Sequence, residues 1–212
     1  NIGLYAFATD SYCLVGRGLP EAELIELEKT LKVPVHVISI CGTSMTGVFL
    51  AGNNNKLLVP SIAFEEELKQ LDELNIDYEI IHTKLTALGN NILCNDTSAI
   101  VSPEFEEGAV EEIKKKLGLP VIVSKIAELD IVGSLAVLNS RGFCLVHDDI
   151  KDFEKKLLEK HLKVKCRDGT VNMGSPYVNS GIIVNKNGFA VGSFSGGPEI
   201  DNADKALGFL IE

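Results

Sequence analysis

Residues 133–139 read Gly133-Ser134-Leu135-Ala136-Val137-Leu138-Asn139, and the same seven-residue phrase occurs five times in the chain. Its other copies are GLYAFAT at 3–9, GVFLAGN at 47–53, GNNILCN at 89–95 and NSGIIVN at 179–185. Gly3, Gly47, Gly89 and Gly133 each head a short apolar run that reaches a polar turn six residues later, at Thr9, Asn53, Asn95 and Asn139. The fifth copy has Asn179 at its head and its turn at Asn185. The turns are 44, 42, 44 and 46 residues apart, a spacing that marks a repeat architecture.

The same parts follow each phrase. Residues 48–51 and 56–59 flank Asn53-Asn54-Asn55 and predict a β-hairpin, because Asn tolerates a left-handed backbone. In the fourth and fifth copies Gly142 and Gly188 are expected to supply the positive φ. Proline closes the second strand at Pro20, Pro60, Pro103 and Pro198, and His147-Asp148 stands there in the fourth copy. Amphipathic helices come next, with apolar stripes Leu24-Leu27-Leu31, Phe64-Leu68-Leu71, Phe105-Ala109-Ile113-Leu117, Ile150-Phe153-Leu157-His161 and Ala203-Leu207. A further strand follows the first four helices, at 33–40, 78–82, 121–124 and 162–166.

Each copy is therefore β-β-α-β. The expected fold is α+β, a closed ring of five such units with pseudo-five-fold symmetry. One domain, 1–212, would hold repeats at about 1–41, 42–85, 86–129, 130–171 and 172–212. Closure follows because a helical stripe can be buried only against a neighbouring sheet and a ring leaves no open strand edge. After the last helix only 208–212 remain, too few for a closing strand, so about ten residues ahead of Asn1 are expected to supply it.

A hydrophobic content of 45% is ample for a core, and no apolar run approaches the ~20 residues a membrane span needs. Cys13, Cys41, Cys94, Cys144 and Cys166 form no CxxC pair and read as reduced, buried thiols of a cytoplasmic protein. The net charge of −10 and dispersed Lys and Arg argue against free nucleic acid and for a basic protein partner. Neither Gly16-Arg17-Gly18 nor Gly196-Gly197-Pro198 has phosphate-loop spacing. His36, His82, His147 and His161 lack metal-ligand companions, and the acidic clusters sit at helix starts, where they complement the helix dipole. No cofactor, metal or catalytic residue is expected.

Five-fold β-β-α-β rings also include guanidine-modifying enzymes that need a cysteine nucleophile near the C-terminus, beside a His and carboxylates. Here no cysteine follows Cys166. An enzyme on a guanidino substrate and a generic adaptor remain the alternatives. The heading glycines instead gather small and polar groups at one rim, suited to close backbone packing, a partner, or both.

Thr86-Ala87-Leu88-Gly89-Asn90, Cys94-Asn95-Asp96, Gly169-Thr170-Val171-Asn172, Leu57-Leu58-Val59-Pro60 and Val132-Gly133-Ser134 together resemble the translation initiation factor 6 family of archaea and eukaryotes, along essentially the whole chain. The resemblance implies a pentein-like ring, a non-enzymatic factor on the joining face of the large ribosomal subunit, where it blocks union with the small subunit; a closed ring, with no strand edge in need of a mate, is expected to be monomeric. Its implied main contact is an L14-type ribosomal protein near the sarcin-ricin loop. The implied partner-binding residues are Gly3, Gly47, Val48, Gly89, Asn90, Gly133 and Ser134. Val48 stands where eukaryotic members tend to carry a basic residue, Asn179 replaces a heading glycine, and the long eukaryotic tail is lacking, which favours an archaeal-type member.

Overall fold

The computed structural model describes residues 1–210. The first copy opens on a 3-10 turn (Ile2–Leu4) and continues with β1 (Ala6–Ala8), β2 (Cys13–Gly16), α1 (Glu21–Leu31) and β3 (Val35–Ile38). The second contains α2 (Thr46–Phe49), β4 (Ala51–Gly52), β5 (Leu57–Pro60), α3 (Glu65–Glu73) and β6 (Tyr78–Ile81). In the third come α4 (Leu88–Asn91), β7 (Ile92–Cys94), β8 (Ala99–Val101), α5 (Glu107–Leu117) and β9 (Val121–Val123). The fourth has β10 (Ala136–Asn139), β11 (Phe143–His147), α6 (Asp152–Leu162) and β12 (Lys165–Gly169), and the fifth α7 (Val178–Gly181), β13 (Ile182–Val184), β14 (Phe189–Val191) and α8 (Gly197–Ala206). The five-fold α+β ring expected from the phrase is the observed fold.

In each of the first four sheets an antiparallel hairpin is joined by a parallel third strand, as in Leu93↔Ile100 and Ile100↔Ile122. Among the described residues the fifth sheet has two strands, β13 and β14, and residues 211–212 lie outside the described part. The middle strands are buried on both faces. On β8, Ala99 and Val101 pack with α5 of their own copy, whereas Ile100 packs with Leu158 and Leu162 of α6 in the next. Leu145 of β11 likewise joins Ala203 of α8, and Ile183 of β13 joins Val15 and Leu27 of the first copy. Strand alternation thus gives every seam a shared core and seals copy five onto copy one.

The turn asparagines work across these seams in a way their residue type alone does not announce. None of Asn53, Asn95, Asn139 and Asn185 has a positive φ. Each side-chain oxygen instead accepts backbone N–H groups of its own turn, such as Lys56 on Asn53 and Ser98 on Asn95. The amide nitrogens of Asn95, Asn139 and Asn185 donate to Leu162, Leu207 and Leu31 carbonyls at 2.6, 2.8 and 2.8 Å, closing the C-terminal end of the next copy's helix. Gly142 has the expected positive φ of 84°, but Gly188 does not. A Cβ at Gly188 would stand 2.5 Å from the Thr30 carbonyl oxygen, so room is what glycine provides there.

Three further expectations change. The run at 48–51 begins as the helical turn α2, in which the Leu50 N–H donates to the Thr46 carbonyl, and a short apolar run does not by itself separate strand from helix. Phe64 caps α3 and is 56% exposed. On α6 the buried face is Glu154, Leu158 and Leu162, one residue beyond the expected stripe, leaving Phe153 69% exposed. In both α3 and α6 a buried glutamate, Glu67 or Glu154, takes the first place in the core register.

Around the axis the heading residues meet in sequence. A Cβ on Gly47 would lie 1.9 Å from the Gly3 carbonyl oxygen, one on Gly89 2.0 Å from that of Gly47, and one on Gly133 2.2 Å from that of Gly89. Gly3 in turn would meet the Asn179 carbonyl at 1.8 Å, and the Asn179 N–H donates to Ser134 at 3.2 Å. Gly89→Ala is therefore expected to destabilise the ring by about 2 kcal/mol or more in denaturant unfolding. Gly108→Ala, in α5 with nothing within 4 Å of the new methyl, is expected to be neutral or to stabilise by up to about 1 kcal/mol.

Candidate partner-binding face

At the heading end of the axis Gly3, Gly47, Gly89 and Gly133 are themselves buried. What the ring presents is the residue after each: Leu4, Val48, Asn90, Ser134 and Ser180, all half-buried. Copies one and two thus offer apolar groups, and copies three to five offer an amide and two hydroxyls. Asn90 is fixed by its backbone, whose carbonyl accepts from the Gly133 and Ser134 N–H groups at 2.9 and 3.2 Å. Among the described residues no group bonds its side-chain amide, which keeps two donors and an acceptor for something else. Close by in the chain, Tyr5, Met45, Leu129, Met173 and Tyr177 are exposed large side chains.

The loops that carry these side chains are tied to the helices by carboxylates. Glu67 accepts from the Cys41 and Gly42 N–H groups at 2.7 and 2.9 Å, both with left-handed φ, and from the Phe64 N–H. Glu154 does the same for Ala127, Glu128 and Lys151, and Glu199 for Met173, Gly174 and Gly196. In the third copy Glu106 holds Thr83 and Lys84, while Glu112 holds the His82 N–H and ring. Their place at helix starts by itself accounts for such acids only as complements of the helix dipole. The signal that identifies them is register: Glu67, Glu154 and Glu199 lie four residues before buried Leu71, Leu158 and Ala203, on the core face of their helices.

At the other end of the axis the hairpin turns interlock. The Asn54 amide donates to Asp10 at 3.2 Å and Asp96 at 2.7 Å, and the Asp10 carboxylate also accepts from the Ser140 hydroxyl and the Lys186 N–H. Between the two ends lies an axial cavity of about 140 Å³. Among the described residues, His147, Asp148 and Asp149 are the group of donor atoms close enough to share a cation, within 4.8 Å of one another. The His147 Nδ1 already accepts the Asp149 N–H at 3.0 Å, which engages that lone pair, and the ring packs edge-on against Tyr177.

Four of the five thiols are pushed toward the protonated form. Burial pushes the Cys13 and Cys94 thiols up to about 12, and burial together with the Glu67 carboxylate does the same to Cys41. Cys144 is raised well above its ordinary value, first by its hydrogen bond with Cys166 and then by burial. A nucleophilic cysteine requires the opposite shift.

Four β-β-α-β units and a fifth that is β-β-α among the described residues, closed around an axis, define a pentein-like ring. The chain belongs to the eIF-6 family, whose profile matches residues 1–206. It is 39% identical to translation initiation factor 6 of Pyrococcus horikoshii, over 99% of this chain and 94% of that protein. The factor of the same name from Saccharolobus islandicus is 38% identical over 98% of this chain and 94% of that protein. Among solved structures the ring is similar to a DDAH from Pseudomonas aeruginosa bound to citrulline (TM-score 0.53, 14% identity, 79% of this chain and 68% of that one). It also resembles the cyanobacterial arginine dihydrolase ArgZ (TM-score 0.58, 14% identity, 92% of this chain and 35% of that one). At such identities the likeness is one of fold alone.

Burial favours the neutral form of Glu112, but hydrogen bonds from Lys116 and His82 outweigh it and hold the carboxyl down to about 2. A carboxyl depressed in the folded state stabilises it fully above the unfolded value near 4.3, and that contribution is lost as pH falls through about 2. Glu112→Gln is accordingly expected to be less stable than the parent at pH 7, with the gap closing between about pH 4.5 and pH 2 in melts across that range.

Proposed function

We propose that the protein is a translation initiation factor that docks its heading face on the joining face of the large ribosomal subunit and so excludes the small subunit. The carrying observation is the Asn90 amide: half-buried, held by its backbone and without a side-chain partner among the described residues, one of five residues presented at the heading end of the ring. Family membership and relatives named translation initiation factor 6 support the same reading.

The main partner on this reading is a basic L14-type ribosomal protein near the sarcin-ricin loop, to which a net charge of −10 gives favourable steering. Leu4, Val48 and the surrounding Met and Tyr side chains would supply apolar contact, while Asn90, Ser134 and Ser180 pair with backbone groups of the partner. Gly3, Gly47, Gly89 and Gly133 act indirectly, by bringing the copies close enough to assemble that surface. The action is steric and needs no transition state. The protein would work as a cytoplasmic monomer; no helix among the described residues is long and apolar enough to cross a membrane.

Sedimentation with purified large subunits tests this directly. The chain is expected to co-migrate at low salt, and Asn90→Glu to weaken binding about ten-fold or more with an unchanged melting temperature. No co-migration would sink the ribosomal reading, whereas co-migration with an indifferent Asn90→Glu would move the contact elsewhere on the ring.

A further inference from the structure

The cations of this acidic chain are not evenly dispersed. Residues 130–171 hold 8 of the 20 Lys and Arg residues, and that copy alone is not net acidic. On α6 the exposed residues Phe153, Lys156 and Lys160 follow one another at intervals of three and four, and exposed Lys163 comes three later. They form a single outward stripe, opposite the buried Glu154, Leu158 and Leu162.

Two internal uses for these lysines are already taken by other groups. Two carboxylates of the same helix are engaged elsewhere: Glu154 holds the Ala127, Glu128 and Lys151 N–H groups, and Glu159 accepts the Cys166 N–H at 3.0 Å; the third, Asp152, is exposed in the first turn, four residues before Lys156, with no ion pair between them among the described residues. The negative end of α6 is also satisfied, because Asn95 and Thr97 donate to the Leu162 carbonyl and Ser98 to that of His161. Lys155 pairs with Asp168, yet among the described residues Lys156, Lys160 and Lys163 have no ion pair. Elsewhere on the ring lysines do find acids, as in Lys29 with Glu26, Lys116 with Glu112 and Lys205 with Asp201.

We propose that the outer face of α6 is an RNA contact, in which Lys156, Lys160 and Lys163 follow the phosphates of a strand and Phe153 stacks on an unpaired base at its end. Lys156 and Lys160 stand one turn, about 6 Å, apart and present mobile point charges suited to a phosphate backbone. An exposed phenyl ring in line with them is the platform that distinguishes single-stranded or looped RNA from an acidic protein surface. This contact lies on the outer rim of the fourth copy and does not depend on docking through the heading face.

Fluorescence anisotropy with a labelled RNA stem-loop, the matching fully paired duplex and polyglutamate decides the matter. The full chain is expected to bind the stem-loop at about 50 mM salt, with an affinity that falls steeply as salt rises. Lys156→Glu with Lys160→Glu should cost at least about ten-fold and make the salt slope shallower by roughly 1.5. Phe153→Ala should cost about ten-fold on the stem-loop and leave the duplex unchanged. Melting temperatures check folding, with the Lys156→Gln and Lys160→Gln pair as the milder variant should charge reversal perturb it. Binding that is undetectable, indifferent to the lysine variants or equally lost from loop and duplex on Phe153→Ala overturns the proposal. Equal competition by polyglutamate also overturns it, in favour of an acidic protein partner. Asn90→Glu should leave RNA binding intact, so failure here and failure of the heading-face reading are distinguishable.

Discussion

The ring depends on the approach of each heading residue to the backbone of the copy before it. At four seams a glycine stands where a Cβ would come within 1.8 to 2.2 Å of a carbonyl oxygen, a distance no side chain can occupy. The fifth seam keeps a backbone link, Asn179 N–H to Ser134, with a side-chain-bearing residue at its head. Because the copies meet this closely at the axis, their middle strands are covered on both faces and the hairpin asparagines reach the helix of the next copy. Shared cores, helix ends and heading face are all consequences of that one spacing.

A second layer of constraint sets the outward side of the same end. The lead-in loops carry left-handed residues such as Cys41, Ala127, Glu128, Asn172 and Met173, conformations that cost energy unless something holds them. Paired backbone N–H groups in such turns form small anion-binding concavities, and here the anion is the carboxylate of the copy's own helix. Glu67, Glu154 and Glu199 therefore keep in place the loops that bear Met45, Leu129 and Met173. A surface prepared this way has little conformational freedom left to lose on meeting a partner.

Much of this was legible before any coordinates. The repeated phrase and its turns determined the number of copies, the hairpins, the helices and the closed ring, since a repeat that cannot bury its own apolar face must use its neighbour. The motifs around Gly89 and Asn90 also directed attention to the end of the ring that presents an unpaired amide. The α6 stripe was misread because Phe153 and Leu157 fit a helical period as well as Leu158 and Leu162 do. Periodicity does not reveal that a buried glutamate shifts the register. The hairpin asparagines were assigned to left-handed backbone because that is their commonest local use, while their cross-seam helix contacts involve residues as much as 154 positions away.

Sequence by itself thus determined the repeat, its order of elements and the heading positions, because these rest on local patterning that recurs along the chain. Only the tertiary structure decided what those positions do. It buried the glycines against carbonyls, left the next residue of each copy to form the surface and turned glutamates from dipole complements into loop anchors. Each of those outcomes depends on which groups distant in the chain meet, and such pairing is a property of three-dimensional contact that no short window of sequence contains.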